Sequence, residues 1–159
     1  MDKEYAYHSA VVFCYVVKNN EVLLIKRNMP PDKNKYTVIG GKKEREEDLV
    51  TACKREVYEE TGLILENVRL RGVINFIIEG YNFETMAFYF ISDDFSGEPV
   101  STDEGQLEWC NIDDSYRKDG VSEFYLKITP SIFTEEKIFL GSISVNKGGG
   151  IKNLNILEA

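Results

Sequence analysis

Glu56, Glu59 and Glu60 are the residues whose type and spacing point most directly to chemistry. They fall in a stretch, 47–61, that contains neither Gly nor Pro and is closed by Gly62, the pattern of one helix and its C-terminal stop. On a helix, positions three and four residues apart are neighbours, so the three carboxylates share one face across a single turn. Leu49, Ala52 and Cys53 fall on that same face. An ordinary charged face lies opposite the apolar stripe, where water solvates it. Here the stripe that should dock on a sheet turns from apolar to acidic. Close carboxylates repel one another, and withdrawing them from water disfavours their charged forms further. A hard divalent cation that prefers oxygen, Mg²⁺ or Mn²⁺, resolves the conflict. The competing reading is a Glu-rich helix end exposed to solvent.

The elements that must hold this helix are legible around it. Residues 7–17 have strong β composition, Asn19-Asn20 follows as a turn, and 22–25 completes a hairpin. A polar, proline-containing loop covers 28–35, and a short strand over 36–39 runs into Gly40-Gly41. Two long β-rich runs, 68–78 and 83–91, are joined at 79–82, and a turn is expected over 95–99. Residues 106–112, with Trp109, form another strand, and Thr129-Pro130 suits the start of a helix continuing to 140. The segments 143–145 and 151–156 read as a closing hairpin around Gly148-Gly149-Gly150. The pattern is α+β, with one long helix inserted among strands and no repeat or linker, so 1–159 is expected to be a single domain.

Composition excludes several function classes. Lys+Arg 19 against Asp+Glu 27 gives a formal net charge of −8, which opposes a grip on duplex nucleic acid through its phosphates. A phosphorylated small molecule remains compatible when a cation mediates the contact. The one histidine, His8, removes His-rich zinc sites and argues against Ser-His or Cys-His nucleophilic catalysis. Cys14, Cys53 and Cys110 stand in apolar contexts and read as reduced core residues. The longest apolar run, 10–17, is far below the ~20 residues of a membrane helix. The N-terminus mixes acid with base and does not read as a signal peptide, so a cytoplasmic, membrane-free protein is expected. Monomer and homodimer are both open.

The spacing around the helix has a wider pattern. Gly41, five residues, Glu47, seven residues, then Arg55-Glu56-Val57-Tyr58-Glu59-Glu60-Thr61-Gly62-Leu63 resembles a complete Nudix box over 41–63. Lys26-Arg27, Gly40-Gly41-Lys42, Glu104-Gly105-Gln106 and Glu108-Trp109 are similar to the MutT-like branch. The tail Lys137-Ile138-Phe139-Leu140-Gly141 is similar to the oxidised-purine triphosphatases. Two positions depart from the common pattern: Ile39 stands where many members have Pro, and Glu46 replaces a frequent Gly. Both bear on loop shape.

The resemblance implies an α/β/α sandwich around a mixed sheet, and a loop–helix–loop that holds Mg²⁺ or Mn²⁺. It also implies hydrolysis of a nucleoside diphosphate linked to another moiety, here most simply a nucleoside triphosphate cleaved to monophosphate and pyrophosphate. ADP-ribose, dinucleoside polyphosphates and capped RNA are the alternatives within the family, and a non-catalytic nucleotide sensor is the alternative outside catalysis. By the same resemblance Glu56, Glu59 and Glu60 are metal ligands, joined by the Gly40 carbonyl and by Glu104 from outside the box. Glu56 or Glu59 is the general base, Arg55 holds a glutamate in place, and Glu47 orients its neighbours. Arg27 either contacts a substrate phosphate or makes a structural salt bridge.

Overall fold

The structure, a computed structural model, describes residues 7–134 and 137–158. Its strands are β1 (Tyr7–Lys18), β2 (Glu21–Arg27), β3 (Tyr36–Thr37), β4 (Ile39–Lys42), β5 (Ile64–Ile78), β6 (Phe83–Ser96), β7 (Gly105–Asn111), β8 (Phe139–Val145) and β9 (Ile151–Glu158). The helices are α1 (Leu49–Thr61), α2 (Ile112–Ser115) and α3 (Glu123–Thr134). The sheet runs β3-β2-β1-β6-β5-β8-β9, with β4 added on β1 and β7 on β2. β1 lies parallel to β6 and β5 parallel to β8, whereas the other neighbours are antiparallel, so the sheet is mixed.

The apolar run of β1 is continuous because both of its faces are covered. Val12, Cys14 and Val16 point to the core under α1 with Ala52, Cys53, Val57 and Leu63. Tyr15 points the other way, to the core that α3 closes with Tyr125, Ile128 and Ile132. The Tyr15 hydroxyl and Thr129 Oγ1 hydrogen-bond at 2.8 Å, which removes the cost of burying both. Helix, sheet and helix thus form the expected α/β/α sandwich of an α+β fold. Among the described residues no helix is long and apolar enough to cross a membrane. Cys14 and Cys53 are buried and Cys110 half-buried, all free thiols.

Three local expectations are corrected. Thr129-Pro130 does not open a helix, because α3 begins at Glu123 and carries Pro130 in its interior. The helical spacing of Tyr125, Ile128 and Ile132 against the sheet outweighs the lost donor, and Pro130 itself lies on the exposed side. Residues 139 and 140 are strand rather than helix, since Phe139 joins the core beside Ile143. Phe95 and Ser96 still belong to β6, where Phe95 stacks on Trp109 at 6.0 Å between centroids, and both pack half-buried against the core under α1.

Helix α1 is bounded by local chemistry. Asp48 caps its start, accepting the Thr51 amide at 2.8 Å on Oδ1 and the Thr51 hydroxyl at 2.8 Å on Oδ2. Gly62 ends it at φ 77°, in the left-handed region, with its amide bonded to the Tyr58 carbonyl at 2.8 Å. Glu46 also sits at φ 65°, so the Gly common at this point of the box would be relaxed where Glu46 is strained. A Cβ on Gly62 would meet no atom, and only its backbone conformation disfavours a side chain. Gly62→Ala is therefore expected to cost about 1 kcal/mol and lower Tm by roughly 2–4 °C in a melting experiment, with Gly62→Asn in between.

Candidate active site

The acidic stripe is a direct continuation of the face that α1 buries. Ala52, Cys53 and Val57 dock on the sheet, and the next turn places Glu60 on the same seam at 5% exposure. Its Oε2 is buried and has no hydrogen-bond partner. Burial pushes the Glu60 carboxyl up to about 8, and the nearby Glu56 and Glu104 carboxylates push the same way. Arg27 and a hydrogen bond from the Gly40 backbone oppose them without compensating. Glu60, Glu56, Glu104, Arg27 and Gly40 are thus brought together from α1, β4, the end of β2 and the turn before β7.

Glu56 lies one turn back, its side chain 13% exposed, with Oε1 accepting from Arg55 Nη1 at 2.7 Å. Desolvation raises its carboxyl even so. A Cβ on Gly41 would collide with the Glu56 carboxyl, so glycine there leaves room for that carboxyl where β4 passes α1. Glu59 is placed differently. Its side chain is 54% exposed, and Oε2 accepts from Arg55 Nη1 at 3.2 Å on the solvent side of the seam.

Arg55 is the hub of this turn. Its Nε and Nη2 donate to the two carboxylate oxygens of Glu47 at 3.0 and 2.6 Å, and Nη2 also donates to the Lys42 carbonyl at 3.0 Å. This bidentate pair ties the helix to the loop before it. The Arg55 guanidinium, and secondly the Glu44 amide, hold the Glu47 carboxyl down to about 2. Among the described residues no three His, Cys, Asp or Glu side chains are drawn together as a ligand set. Arg55 is the countercharge to Glu56 and Glu59, and Glu60 has no cationic group bonded to its orphaned oxygen. An all-oxygen donor set with an unpartnered buried carboxylate oxygen fits a hard divalent cation.

Arg27 makes no carboxylate salt bridge among the described residues. Its Nε donates to the Pro31 carbonyl at 2.8 Å and to the Met29 carbonyl at 3.4 Å, which leaves its charge on the side of Glu60. Neither the Asp48 cap nor the contact of Arg55 with the Lys42 carbonyl is anticipated from the sequence, although an Asp one residue before a helix is a readable signal for the first.

A model of the NUDIX domain family matches residues 6–132. The chain belongs to the Nudix family. Relatives include an uncharacterized Nudix hydrolase of Bacillus subtilis, 34% identical over 112 residues, covering 68% of this chain and 69% of the relative. The oxidized purine nucleoside triphosphate hydrolase of Danio rerio is 32% identical over 98 residues, 62% of this chain and 63% of the relative. The ADP-ribose pyrophosphatase of Methanocaldococcus jannaschii is 32% identical over 102 residues, 64% and 60%. The chain therefore spans less than two thirds of the length of the last two. The mutator MutT protein of Bacillus halodurans superposes with a TM-score of 0.83 at 26% identity, covering 93% of this chain and 97% of that one. This Nudix protein is accordingly a MutT-like hydrolase of pyrophosphate bonds.

Its metal-free stability should carry the signature of Glu60. A carboxyl held near 8 when folded and near 4.5 when unfolded binds more protons in the folded state across that window. Its contribution is complete below 4.5 and is lost as pH rises through about 8. Glu47, held near 2, acts oppositely: its contribution is present above 4.5 and is lost as the pH falls toward 2. Denaturant unfolding of the metal-free protein should therefore show stability declining from mildly acidic to mildly alkaline pH. Glu60→Gln should flatten that decline and leave the acid limb in place.

Proposed function

We propose that this Nudix hydrolase cleaves a nucleoside triphosphate, an oxidised purine triphosphate among the candidates, to the monophosphate and pyrophosphate with Mg²⁺ or Mn²⁺. The observation that carries the reading is the buried Glu60 carboxyl with its orphaned oxygen, flanked by Glu56 and Glu104 and faced by the Arg27 charge. Glu56, Glu59, Glu60 and Glu104 are assigned as the acidic ligands, with the Gly40 carbonyl as a further oxygen. These residues would hold a divalent cation, which when bound would supply charge neutralisation for phosphate oxygens and a more acidic water.

The remaining roles belong to the chain itself. Glu56 or Glu59 takes the proton of the attacking water. Both carboxylates already share the Arg55 Nη1 donor, at 2.7 and 3.2 Å, so their orientation is set before substrate arrives. Glu47 fixes Arg55, and Arg27 offers its guanidinium to a substrate phosphate. Water adds to one phosphorus of the α–β anhydride while the bridging oxygen leaves with the other, consuming one water and yielding the two phosphate products. The triphosphate class is favoured by the MutT-like structural match and by the Danio rerio relative, whose name carries that substrate.

Turnover of a nucleotide panel, resolved by chromatography of the products, tests the substrate. Release of monophosphate and pyrophosphate from a triphosphate is expected. Cleavage of ADP-ribose or dinucleoside polyphosphates with no triphosphate turned over would overturn the triphosphate reading, and binding with no turnover of any nucleotide would make the protein a sensor. Glu60→Gln tests the metal assignment. The variant should fold at least as stably as the parent without metal, since it removes the cost of burying an ionisable carboxyl beside Glu56 and Glu104. It should also lose the Tm gain that millimolar Mg²⁺ gives the parent and turn over roughly a hundredfold more slowly. Near-parental turnover would sink the ligand assignment.

A further inference from the structure

Strand β2 ends at Arg27, whose ladder partner on β7 is Gly105. Beyond that pair the two chains would be free to splay, and Glu104 lies immediately past it. Its turn is weakly closed from within: Gly105 N–H reaches the Thr102 carbonyl at 3.3 Å, and Glu104 N–H reaches Thr102 Oγ1 at 3.3 Å. Two shorter bonds come from one residue across the gap. The Asn28 backbone amide donates to the Glu104 carbonyl at 2.9 Å, and Asn28 Nδ2 donates to the Asp103 carbonyl at 3.0 Å.

We infer that Asn28 is a positioning residue for Glu104, its side-chain amide clamping the turn that sets the Glu104 carboxylate beside Glu60. The inference rests on the assignment of Glu104 as a ligand proposed above. A carboxylate on a strand end is held by the ladder, whereas one in a turn needs a separate tether to keep its oxygens within reach of the helix. Asn suits the task because its amide donates while its own backbone N–H completes a second bond to the adjacent carbonyl. The side chain is exposed and lies outside the core clusters, so its contribution lies in placing the turn rather than in holding the core together. Since Asn28 directly follows Arg27, the same residue keeps the guanidinium and the carboxylate in fixed register at one end of the β2–β7 ladder.

The test is a double-mutant cycle read by Mn²⁺ binding to the substrate-free protein, with free Mn²⁺ measured by electron paramagnetic resonance. Asn28→Ala removes the clamp, and Asn28→Leu removes it while keeping the bulk; each retains the backbone donor and the charge of the site. Both are expected to weaken Mn²⁺ binding about fivefold, the size of one lost hydrogen bond, with metal-free Tm unchanged. Turnover of the variants should need correspondingly more Mg²⁺ and approach the parental kcat at saturation. In a Glu104→Gln background neither substitution should weaken binding further, because the group through which Asn28 acts is gone. Parental Mn²⁺ affinity in both Asn28 variants, or an equal loss with and without Glu104, would overturn the inference alone. Parental affinity in Glu104→Gln by itself would overturn the Glu104 assignment and the inference with it.

Discussion

A carboxylate buried where helix α1 meets the sheet is the constraint around which the site is arranged. Glu60 continues the stripe that Ala52, Cys53 and Val57 press onto the sheet, so its burial is a consequence of helix docking. Desolvation alone makes its charged form unfavourable, and Glu56 and Glu104 add repulsion. The protein keeps this local penalty because the surrounding structure enforces it: the helix is capped by Asp48, stopped by Gly62 and anchored by apolar residues that gain from the same docking. A fold that tolerates a mismatched charge at one point of an otherwise consistent seam is what a functional site looks like in energetic terms.

The Arg55 cluster solves the complementary problem. Glu47 in the loop before α1 and Glu56 and Glu59 in its second half would repel one another, and one guanidinium reaches all three. Exposed ion pairs contribute little to stability, but a bidentate, partly buried pair is geometrically strict. The pair with Glu47 has both bonds formed, at 3.0 and 2.6 Å, and it fixes the loop that leads into the helix. Orientation of Glu56 and Glu59 is thereby largely settled by neighbours rather than by whatever they later contact. Lysine could not substitute here, since a point charge cannot meet two oxygens of one carboxylate in a plane while still serving Glu56.

The sheet backs one side of the candidate site with a packed helix and leaves loops on the other. Glu56, Glu59 and Glu60 stand on a helix packed against β1, β4 and β5, whereas Arg27, Asn28 and Glu104 stand at the end of the β2–β7 ladder. Two classes of support therefore meet in one site: packing on the helix side and discrete hydrogen bonds on the loop side. The Nudix relatives carry several different nucleotide substrates in their names, as expected when function is set by sites grafted on a shared fold.

The sequence by itself determined the chemistry and its host element. Spacing of the three glutamates, the Gly- and Pro-free run and the terminal Gly62 identified helix α1, its acidic stripe and the box, because these depend on residues a few positions apart. The long strands were equally legible from composition. The α3 boundaries were not, since Pro130 reads locally as a helix start and only packing of Tyr125, Ile128 and Ile132 on the sheet shows that the helix begins earlier. Tertiary structure alone distinguished Glu60 from Glu59, two adjacent acids in the chain, one sealed in the seam and the other facing water. It also brought Arg27 and Glu104, which the sequence joined to Glu60 only through the family resemblance, to the same carboxyl. Residues so far apart in sequence meet only because β2 and β7 pair across the sheet edge, and no local pattern encodes that register.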